Sequence, residues 1–259
     1  MSKTAAAFDH GKAFVAFITC GDPDLETTGR AVRAAEKNGA DLIELGIPFS
    51  DPTAEGPVIQ EANLRALTGG VTTDLIFEFV KDLRRDVTVP MVFMTYANVI
   101  FSYGAEKFIS TCAQIGIDGL ILPDLPFEEK GEFLPLCRQY GVDLISLIAP
   151  TSENRVAMIA REAEGFIYLV SSLGVTGTRS KITTDLAPII RTIRENAKVP
   201  VAIGFGISTP EQAKTMAALS DGAIVGSAIE KILAGYGREA PDRIGEYVRS
   251  MKDALKELN

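Results

Sequence analysis

Short β-rich apolar runs alternate with amphipathic stretches along the whole chain. The stretches between the runs have their apolar positions at helical spacing. Because parallel strands need crossover connections, which are usually helices, the alternation predicts an α/β protein made of β-α units. Eight runs have strand length, and they cover residues 13–19, 41–45, 91–95, 119–122, 143–147, 166–170, 201–203 and 223–225.

A faint internal repeat supports eight similar units. Gly-x-Asp precedes several predicted strands, where glycine suits the C-terminal cap of a helix and the acid marks the turn at the lower rim of a barrel. A Val-Pro pair introduces the third and the seventh strand, four apart in the order, as two similar half-barrels would. The Gly-x-Asp segments are 39–41, 116–118 and 141–143, with 220–222 resembling them, and the Val-Pro pairs are 89–90 and 199–200.

We therefore expect a single (β/α)8 TIM barrel domain over residues 1–259. An open doubly wound sheet is the alternative, and it is disfavoured because no strand resembles an edge and no linker divides the chain. Residues 2–10 are predicted to form an extra N-terminal helix that closes the bottom of the barrel. His10, the only histidine, lies there, so we expect a surface or capping role for it and no catalysis by histidine.

The most informative stretch is DLIELGIPFSDPTAEGP at residues 41–57. Glu44 ends an apolar strand, where a carboxylate is costly to desolvate. Glu55 follows in a loop stiffened by three prolines, at the same mouth of the barrel. Two acids in one apolar site can differ in pKa and divide acid and base work. The alternatives are a salt-bridged rim residue for Glu44 and a solvated loop acid for Glu55.

Glycines close the last two predicted strands. Gly204-Phe205-Gly206 follows strand seven, and Gly226-Ser227 follows strand eight and begins a short helical stretch. Exposed backbone N–H groups and a helix N-terminus suit a phosphate group, and phosphate sites at these positions recur in this fold. Ordinary turn glycines are the alternative.

The segment 171–184 is too long and too polar for a minimal connection after strand six, and it predicts a lid over the mouth. On closure, Thr176 could reach the Glu55 loop and Gly177 could bring further N–H donors to a phosphate. A surface loop without this role is the alternative.

Aromatic side chains lie at the ends of three of the predicted strands. Phe17, Tyr96 and Phe205 are predicted to form a flat apolar slot for an aromatic ring. Core packing explains any one of them equally well, so the inference depends on their shared position at strand ends.

The bulk composition excludes several classes of partner. A net charge of −8 disfavours nucleic acid and anionic membranes as partners. The three cysteines have no metal-ligand spacing and suit buried thiols in a reducing compartment. With no leader and no apolar run of membrane-spanning length, we expect a cytoplasmic protein.

Seven motifs, taken together and in order, resemble the tryptophan synthase α-subunit family. They span nearly the whole chain, so the resemblance is highly specific. The motifs are FVAFITCGDP (14–23), ELGIPFSDPTAEGP (44–57), TYANVIF (95–101), LPDLP (122–126), GVTGTR (174–179), GFGIS (204–208) and GSAI (226–229).

The resemblance implies a lyase of tryptophan biosynthesis that splits indole-3-glycerol phosphate into indole and glyceraldehyde 3-phosphate, with no cofactor or metal. It implies that Glu44 moves the protons and that Glu55 holds the indole N–H. It also implies a pyridoxal-phosphate β subunit as partner, in an α2β2 complex. The implied substrate-binding residues are Phe17, Tyr96, Tyr168, Thr176 and Phe205, and the implied phosphate-binding residues are Gly177, Gly206, Gly226 and Ser227.

The chain departs from the family pattern at two positions, with Glu55 in place of Asp and Thr53 in place of Leu. The extra methylene displaces the carboxylate by about 1.5 Å, and a misplacement of about 1 Å can cost on the order of 100-fold in rate. A shift of the loop could compensate, and we expect activity to be retained.

Three other functions remain open from the sequence. One is a stand-alone lyase that releases free indole, and another is a weakly catalytic subunit that only activates the β enzyme. A third is another phosphate-binding barrel enzyme. For an aldolase that uses a Schiff base, no strand end offers the required lysine.

Overall fold

Eight parallel strands form a closed barrel in the computed structural model, which describes residues 2–171 and 185–258. Each strand pairs with its neighbours in chain order, and β1 pairs with β8 to close the ring. The TIM barrel predicted from the sequence is confirmed. The strands are β1 (Ala13–Thr19), β2 (Leu42–Gly46), β3 (Met91–Met94), β4 (Gly119–Ile121), β5 (Asp143–Ile148), β6 (Glu164–Val170), β7 (Val201–Gly204) and β8 (Gly222–Val225).

Helices connect the strands and surround the barrel. The longest, α12, packs against α2 and covers the outside of β1. In the described residues the helices are α1 (Lys3–Ala6), α2 (Leu25–Lys37), α3 (Pro57–Thr68), α4 (Thr73–Leu83), α5 (Ala97–Tyr103), α6 (Ala105–Ile115), α7 (Leu134–Tyr140), α8 (Glu153–Arg161), α9 (Ala187–Asn196), α10 (Pro210–Leu219), α11 (Ser227–Tyr236) and α12 (Ala240–Lys256), with 3-10 helices at Phe127–Glu132 and Gly237–Glu239.

Alternation along each strand divides the core into two layers. On β1, Val15 and Phe17 belong to the cluster inside the barrel, whereas Phe14 and Ile18 belong to the layer between strands and helices. Side chains two residues apart on a strand face the same way. Because Leu42 lies inside the barrel, the same alternation places Glu44 inside as well.

Three of the four acids in these Gly-x-Asp and related segments tie neighbouring strands together at the lower rim. Asp41 accepts a hydrogen bond from the Phe14 N–H at 2.7 Å. Asp118 and Asp221 accept in the same way from the first residues of β3 and β7, at 3.0 and 2.9 Å. In each case the acid before one strand satisfies a backbone donor at the start of the preceding strand, so the repeat has a structural origin.

The N-terminal helix lies at this lower rim, as predicted, but it is shorter than predicted. It ends at Ala6, and residues 7–10 form turns. Thr4 donates a hydrogen bond to Asp143 at the start of β5. The chain bends after α1 because the Phe8 ring packs on Phe166 of the barrel interior, with 5.4 Å between ring centroids. His10 is exposed, which agrees with the surface role expected for it.

Candidate active site

A cavity of about 460 Å³, including its open mouth, lies at the C-terminal ends of the strands. Active sites of this fold occupy the same end of the barrel. The cavity brings together eight of the residues that the sequence singled out. Its lining consists of Phe17, Glu44, Glu55, Ile59, Met94, Tyr168, Phe205, Gly206, Ile207, Ile224, Gly226 and Ser227.

Glu44 is the more buried of the two acids that line the cavity. It is only 1% exposed, and among the described residues no hydrogen-bond partner reaches either carboxyl oxygen. Burial, with a further contribution from the nearby charge of Glu55, raises the pKa of Glu44 to about 8. Glu44 is therefore protonated near neutrality and can act as a proton donor. No salt bridge to Glu44 exists in the described parts of the chain, contrary to the rim alternative.

Glu55 is also buried, at 6% exposure, so it is not a solvated loop acid. Unlike Glu44, its carboxylate has a defined partner, because Asn63 Nδ2 donates a hydrogen bond to Glu55 Oε2 at 2.8 Å. Burial raises the pKa of Glu55 to about 7, and the Asn63 hydrogen bond opposes that rise. The Glu55 backbone carbonyl accepts from Gln60 Nε2 at 2.7 Å. Two contacts from α3 therefore fix the second acid.

Two glycines make room for the Phe17 ring. A Cβ on Gly46, at the end of β2, would lie 2.7 Å from Phe17 Cζ. A Cβ on Gly226, after β8, would lie 3.1 Å from Phe17 Cδ1. The ring thus lies against the backbone of both neighbouring strand ends, and Gly226 has a packing role beside the phosphate role predicted for it.

Tyr168 and Phe205 form a second aromatic wall. Their rings meet edge to face, with 6.0 Å between centroids and 82° between planes. Phe205 has φ of 75°, a left-handed conformation that is uncommon for a residue with a Cβ. The Ser171 hydroxyl donates a hydrogen bond to the Phe205 carbonyl at 2.7 Å. Backbone strain of this kind persists where the surroundings enforce it, and it clusters at functional sites.

Tyr96 has a different environment from the other aromatic residues of the predicted slot. It is 2% exposed and packs on Phe49, with 5.1 Å between ring centroids. Its hydroxyl accepts a hydrogen bond from the Ala54 N–H at 3.0 Å. Tyr96 therefore supports the loop that carries Glu55, and it is not among the described residues that line the cavity.

The predicted phosphate end of the site is built by the start of α11. Gly226 is the N-terminal cap of this helix and Ser227 is its first residue. Gly206, with φ of 81°, faces the same cavity. Free N–H groups at a helix start suit an anion. Thr176 and Gly177 of the predicted lid lie outside the described residues.

Sequence reasoning did not identify Asn63 or the apolar lining residues. Asn63 is 4% exposed and lies four residues after the cavity-lining Ile59, on the same face of α3. The sequence did contain one signal for Asn63. It is an amide on an otherwise apolar helix face, and it follows soon after a candidate catalytic acid. Met94, Ile207 and Ile224 carried no such signal, because their apolar side chains are compatible with any core position.

The described residues show neither a metal-binding cluster nor a membrane-spanning helix. Residues 2–171 and 185–258 contain no group of three or more His, Cys, Asp or Glu side chains placed to hold a metal ion. Within the same ranges, no helix has both the length and the apolar character needed to cross a membrane.

Comparison with known proteins gives consistent matches over nearly the full length. A family model described as tryptophan synthase alpha chain matches residues 4–256. The tryptophan synthase alpha chain of Lacticaseibacillus casei is 47% identical over 262 residues, which covers 100% of this chain and 98% of the relative.

Solved structures of tryptophan synthase subunits are also similar to this chain over nearly its full length. Tryptophan synthase subunit alpha from Legionella pneumophila str. Paris is similar with a TM-score of 0.87 and 33% identity, over 99% of both chains. A chain of the tryptophan synthase α2β2 complex from Pyrococcus furiosus is similar with a TM-score of 0.86 and 35% identity, over 94% of this chain and 98% of that one. The chain described here belongs to the tryptophan synthase alpha chain family.

Proposed function

We propose that this protein cleaves indole-3-glycerol phosphate to indole and glyceraldehyde 3-phosphate. The observation that supports this function best is the pair of buried acids in one aromatic-walled cavity, with the N-terminus of α11 at its edge. The two acids suit a reaction that needs only proton transfers, the walls suit a flat heteroaromatic ring, and the helix start suits a phosphate.

In this proposal Glu44 both delivers and reclaims a proton. Its protonated carboxyl gives the proton to the indole carbon that bears the glycerol side chain, which leaves positive charge on the ring nitrogen. The resulting carboxylate then takes the proton of the adjacent glycerol hydroxyl. The carbon–carbon bond breaks, its electron pair returns to the ring, and the hydroxyl carbon becomes the aldehyde. Glu44 ends the cycle protonated, so the step needs no external acid or base.

Glu55 stabilises the charge that this step creates. We assign it to the indole N–H, where its carboxylate would face the nitrogen as positive charge develops. A preorganised anion at that position lowers the barrier because it requires no reorganisation during the reaction. Asn63 keeps the carboxylate in place through its hydrogen bond of 2.8 Å.

The remaining assignments follow the same geometry. Phe17, Tyr168 and Phe205 are proposed to hold the indole ring, and Gly206, Gly226 and Ser227 to hold the phosphate. Tyr96, Thr176 and Gly177 keep the substrate and phosphate roles predicted for them as proposals. We propose no cofactor for this chain. We also propose a cytoplasmic location for the protein.

Replacement of the two acids tests the mechanism. Glu44→Gln is expected to lower the rate of indole release at least 100-fold, within the range of about 10² to 10⁴ for general acid–base groups, with KM changed less than threefold. Glu55→Ala is expected to lower it at least tenfold. An indole-releasing rate within threefold of the parent for Glu55→Ala would show that its assignment is wrong.

We further propose a tryptophan synthase β subunit, with pyridoxal phosphate, as the partner. Mutual activation of an α2β2 complex is described for the P. furiosus protein. Here the outer residues Ser50, Asp51 and Thr53 of the Glu55 loop are exposed, so a partner bound to this loop could bias the position of Glu55. Indole release measured with increasing β subunit should accelerate, and a rate that stays constant at saturation would favour a stand-alone lyase.

A further inference from the structure

An ionic cluster with two buried acids and a partly exposed arginine lies behind the candidate site, at the junction of β1, α3 and α11. Arg65 Nε and Nη2 donate hydrogen bonds to the two carboxylate oxygens of Asp22, at 2.8 and 2.7 Å. Asp22 is 1% exposed. Glu230, which is fully buried, faces Asp22 from α11. We call Arg65, Asp22 and Glu230 the triad.

Glu230 is held at only one of its two carboxyl oxygens. Its Oε1 accepts a hydrogen bond from the Thr19 N–H at 2.7 Å. No donor in residues 2–171 or 185–258 reaches Oε2. The group that faces Glu230 is the Asp22 carboxylate, which is already paired with Arg65. A proton on Glu230 would therefore satisfy both acids, because its O–H can donate to Asp22.

The surrounding charges favour that protonated form. Burial and the charge of Asp22 raise the pKa of Glu230 to about 8. The other ionisable groups beside it are Arg65 on α3 and the buried thiol of Cys20 after β1, with Glu61 acting on Arg65. The triad thus contains one cation, Arg65, and two buried carboxyl groups, those of Asp22 and Glu230. Deprotonation would leave two buried anions in contact, which is strongly unfavourable.

The triad connects the elements that build the site. Glu230 lies one turn into α11, whose first residue, Ser227, lines the cavity. Arg65 lies on α3, the helix that follows Glu55 and carries Asn63. The two helices pack against each other. A change in the triad would therefore move the phosphate end of the site relative to the second acid.

We propose that protonated Glu230 is a positioning residue, which sets the N-terminus of α11 against α3 and thereby fixes the phosphate-binding end relative to Glu55. The proposal rests on the proposed function for its ligand, a phosphate monoester. It predicts that phosphate binding weakens when Glu230 loses its proton.

The test measures the dissociation constant of glycerol 3-phosphate from pH 7.5 to 9.5. A phosphate monoester has its second pKa near 6, so the charge of this probe is constant in the range. For the parent, Kd is expected to rise about tenfold across this range, which corresponds to about 1.4 kcal/mol and is the size expected for the loss of one buried polar contact. In Glu230→Gln, which cannot ionise but keeps donor and acceptor, the rise should be at least threefold smaller.

Two further variants separate positioning from general stability. Glu230→Leu removes both hydrogen-bonding atoms and should weaken binding about tenfold at pH 7.5, whereas Glu230→Gln should restore most of that loss. Glu239→Gln, at an exposed acid just beyond α11, is the control and should follow the parent curve. If Glu230→Leu does not fold, the comparison of the parent with Glu230→Gln still decides.

Parallel pH curves for the parent and Glu230→Gln would overturn the inference, and so would a parent that does not bind glycerol 3-phosphate at pH 7.5. The binding assay needs no turnover. A parent that binds with the expected pH dependence but releases no indole would overturn the proposed cleavage and leave the positioning role supported.

Discussion

Glu44 and Glu55 differ in what surrounds their carboxyl groups. Glu44 has no hydrogen-bond partner among the described residues and feels the charge of Glu55, whereas Glu55 has the Asn63 amide as a hydrogen-bond donor. The pKa of Glu44 is accordingly raised to about 8 and that of Glu55 to about 7. Near neutrality the first keeps its proton while the second is more readily ionised. This difference separates a proton donor from an anion within one cavity.

Asn63 offers a prediction at the residue scale. Asn63→Ala removes the hydrogen bond that opposes the raised pKa of Glu55 and leaves the carboxylate free to change rotamer. We expect kcat for indole release to fall about tenfold, since small displacements of catalytic groups have effects of this order or larger. The pKa of Glu55 should rise as well, so the pH profile should shift upward.

Steady-state assays between pH 6 and 9 would measure both effects. Leu64→Ala is the matched control, because Leu64 is adjacent on α3 and 66% exposed. An unchanged profile in Asn63→Ala would show that the Asn63 amide does not position Glu55.

At the scale of elements, the hydrophobic pattern located all eight strands with ends within two residues of those observed. It succeeded because each strand is an apolar run bounded by polar turns. The first helix was predicted to reach residue 10 but ends at Ala6, since the contact of Phe8 with Phe166 overrides local helix propensity.

Which strand-end residues share one cavity was largely predictable, because the carboxyl ends of parallel strands meet at one face. The contacts that support these residues were not predictable from the sequence. The bond between Asn63 and Glu55, and the contact of Glu230 with Asp22, join residues distant in sequence whose side-chain directions no local pattern specifies.

The ends of β2 and β8 offer a prediction at the element scale. In Gly46→Ala, the new methyl group would overlap the Phe17 ring, and the ring would have to move into the cavity. We expect a loss of about 1–3 kcal/mol in the free energy of unfolding, typical of overpacking, together with weaker substrate binding.

Urea denaturation and KM for indole-3-glycerol phosphate would measure the two effects. Gly235→Ala on α11 is the control, because a Cβ there meets nothing within 4 Å, and it should be neutral or stabilising by up to about 1 kcal/mol. Equal behaviour of the two variants would contradict the packing account of Gly46.

At the scale of the whole molecule, buried acids make stability depend on pH. The pKa values of Glu44, Glu55 and Glu230 are raised to about 8, 7 and 8. The folded state therefore binds more protons than the unfolded state between pH 4.5, the ordinary pKa of a glutamate side chain, and about pH 8. Its stability falls as pH rises through that window.

Ion-paired surface acids act in the opposite sense. The hydrogen bonds from Arg155 and Lys130 lower the pKa values of Glu128 and Glu162, respectively. The stability that these pairs contribute is present above about pH 4.5 and is lost as pH falls through the lowered pKa values.

We therefore predict that the free energy of unfolding is greatest near about pH 5 and decreases toward pH 9. Urea denaturation at pH 5, 7 and 9 would measure it. Glu44→Gln should show a smaller decrease than the parent, because its side chain cannot ionise. Equal stability of the parent at pH 5 and pH 9 would contradict the prediction.

The bare carboxyl group of Glu44 has a consequence for ligand recognition. Since no described protein atom hydrogen-bonds to it, the occupant of the cavity would shift further the pKa that burial has already raised. A guest with a hydroxyl near Glu44 gives the carboxylate its first donor, whereas a purely hydrocarbon guest adds no donor and only increases its burial. The first should expel protons on binding and the second should absorb them. Calorimetric heats in buffers of different ionisation enthalpy would distinguish the two. The number of protons exchanged on binding would then report which chemical group lies beside Glu44.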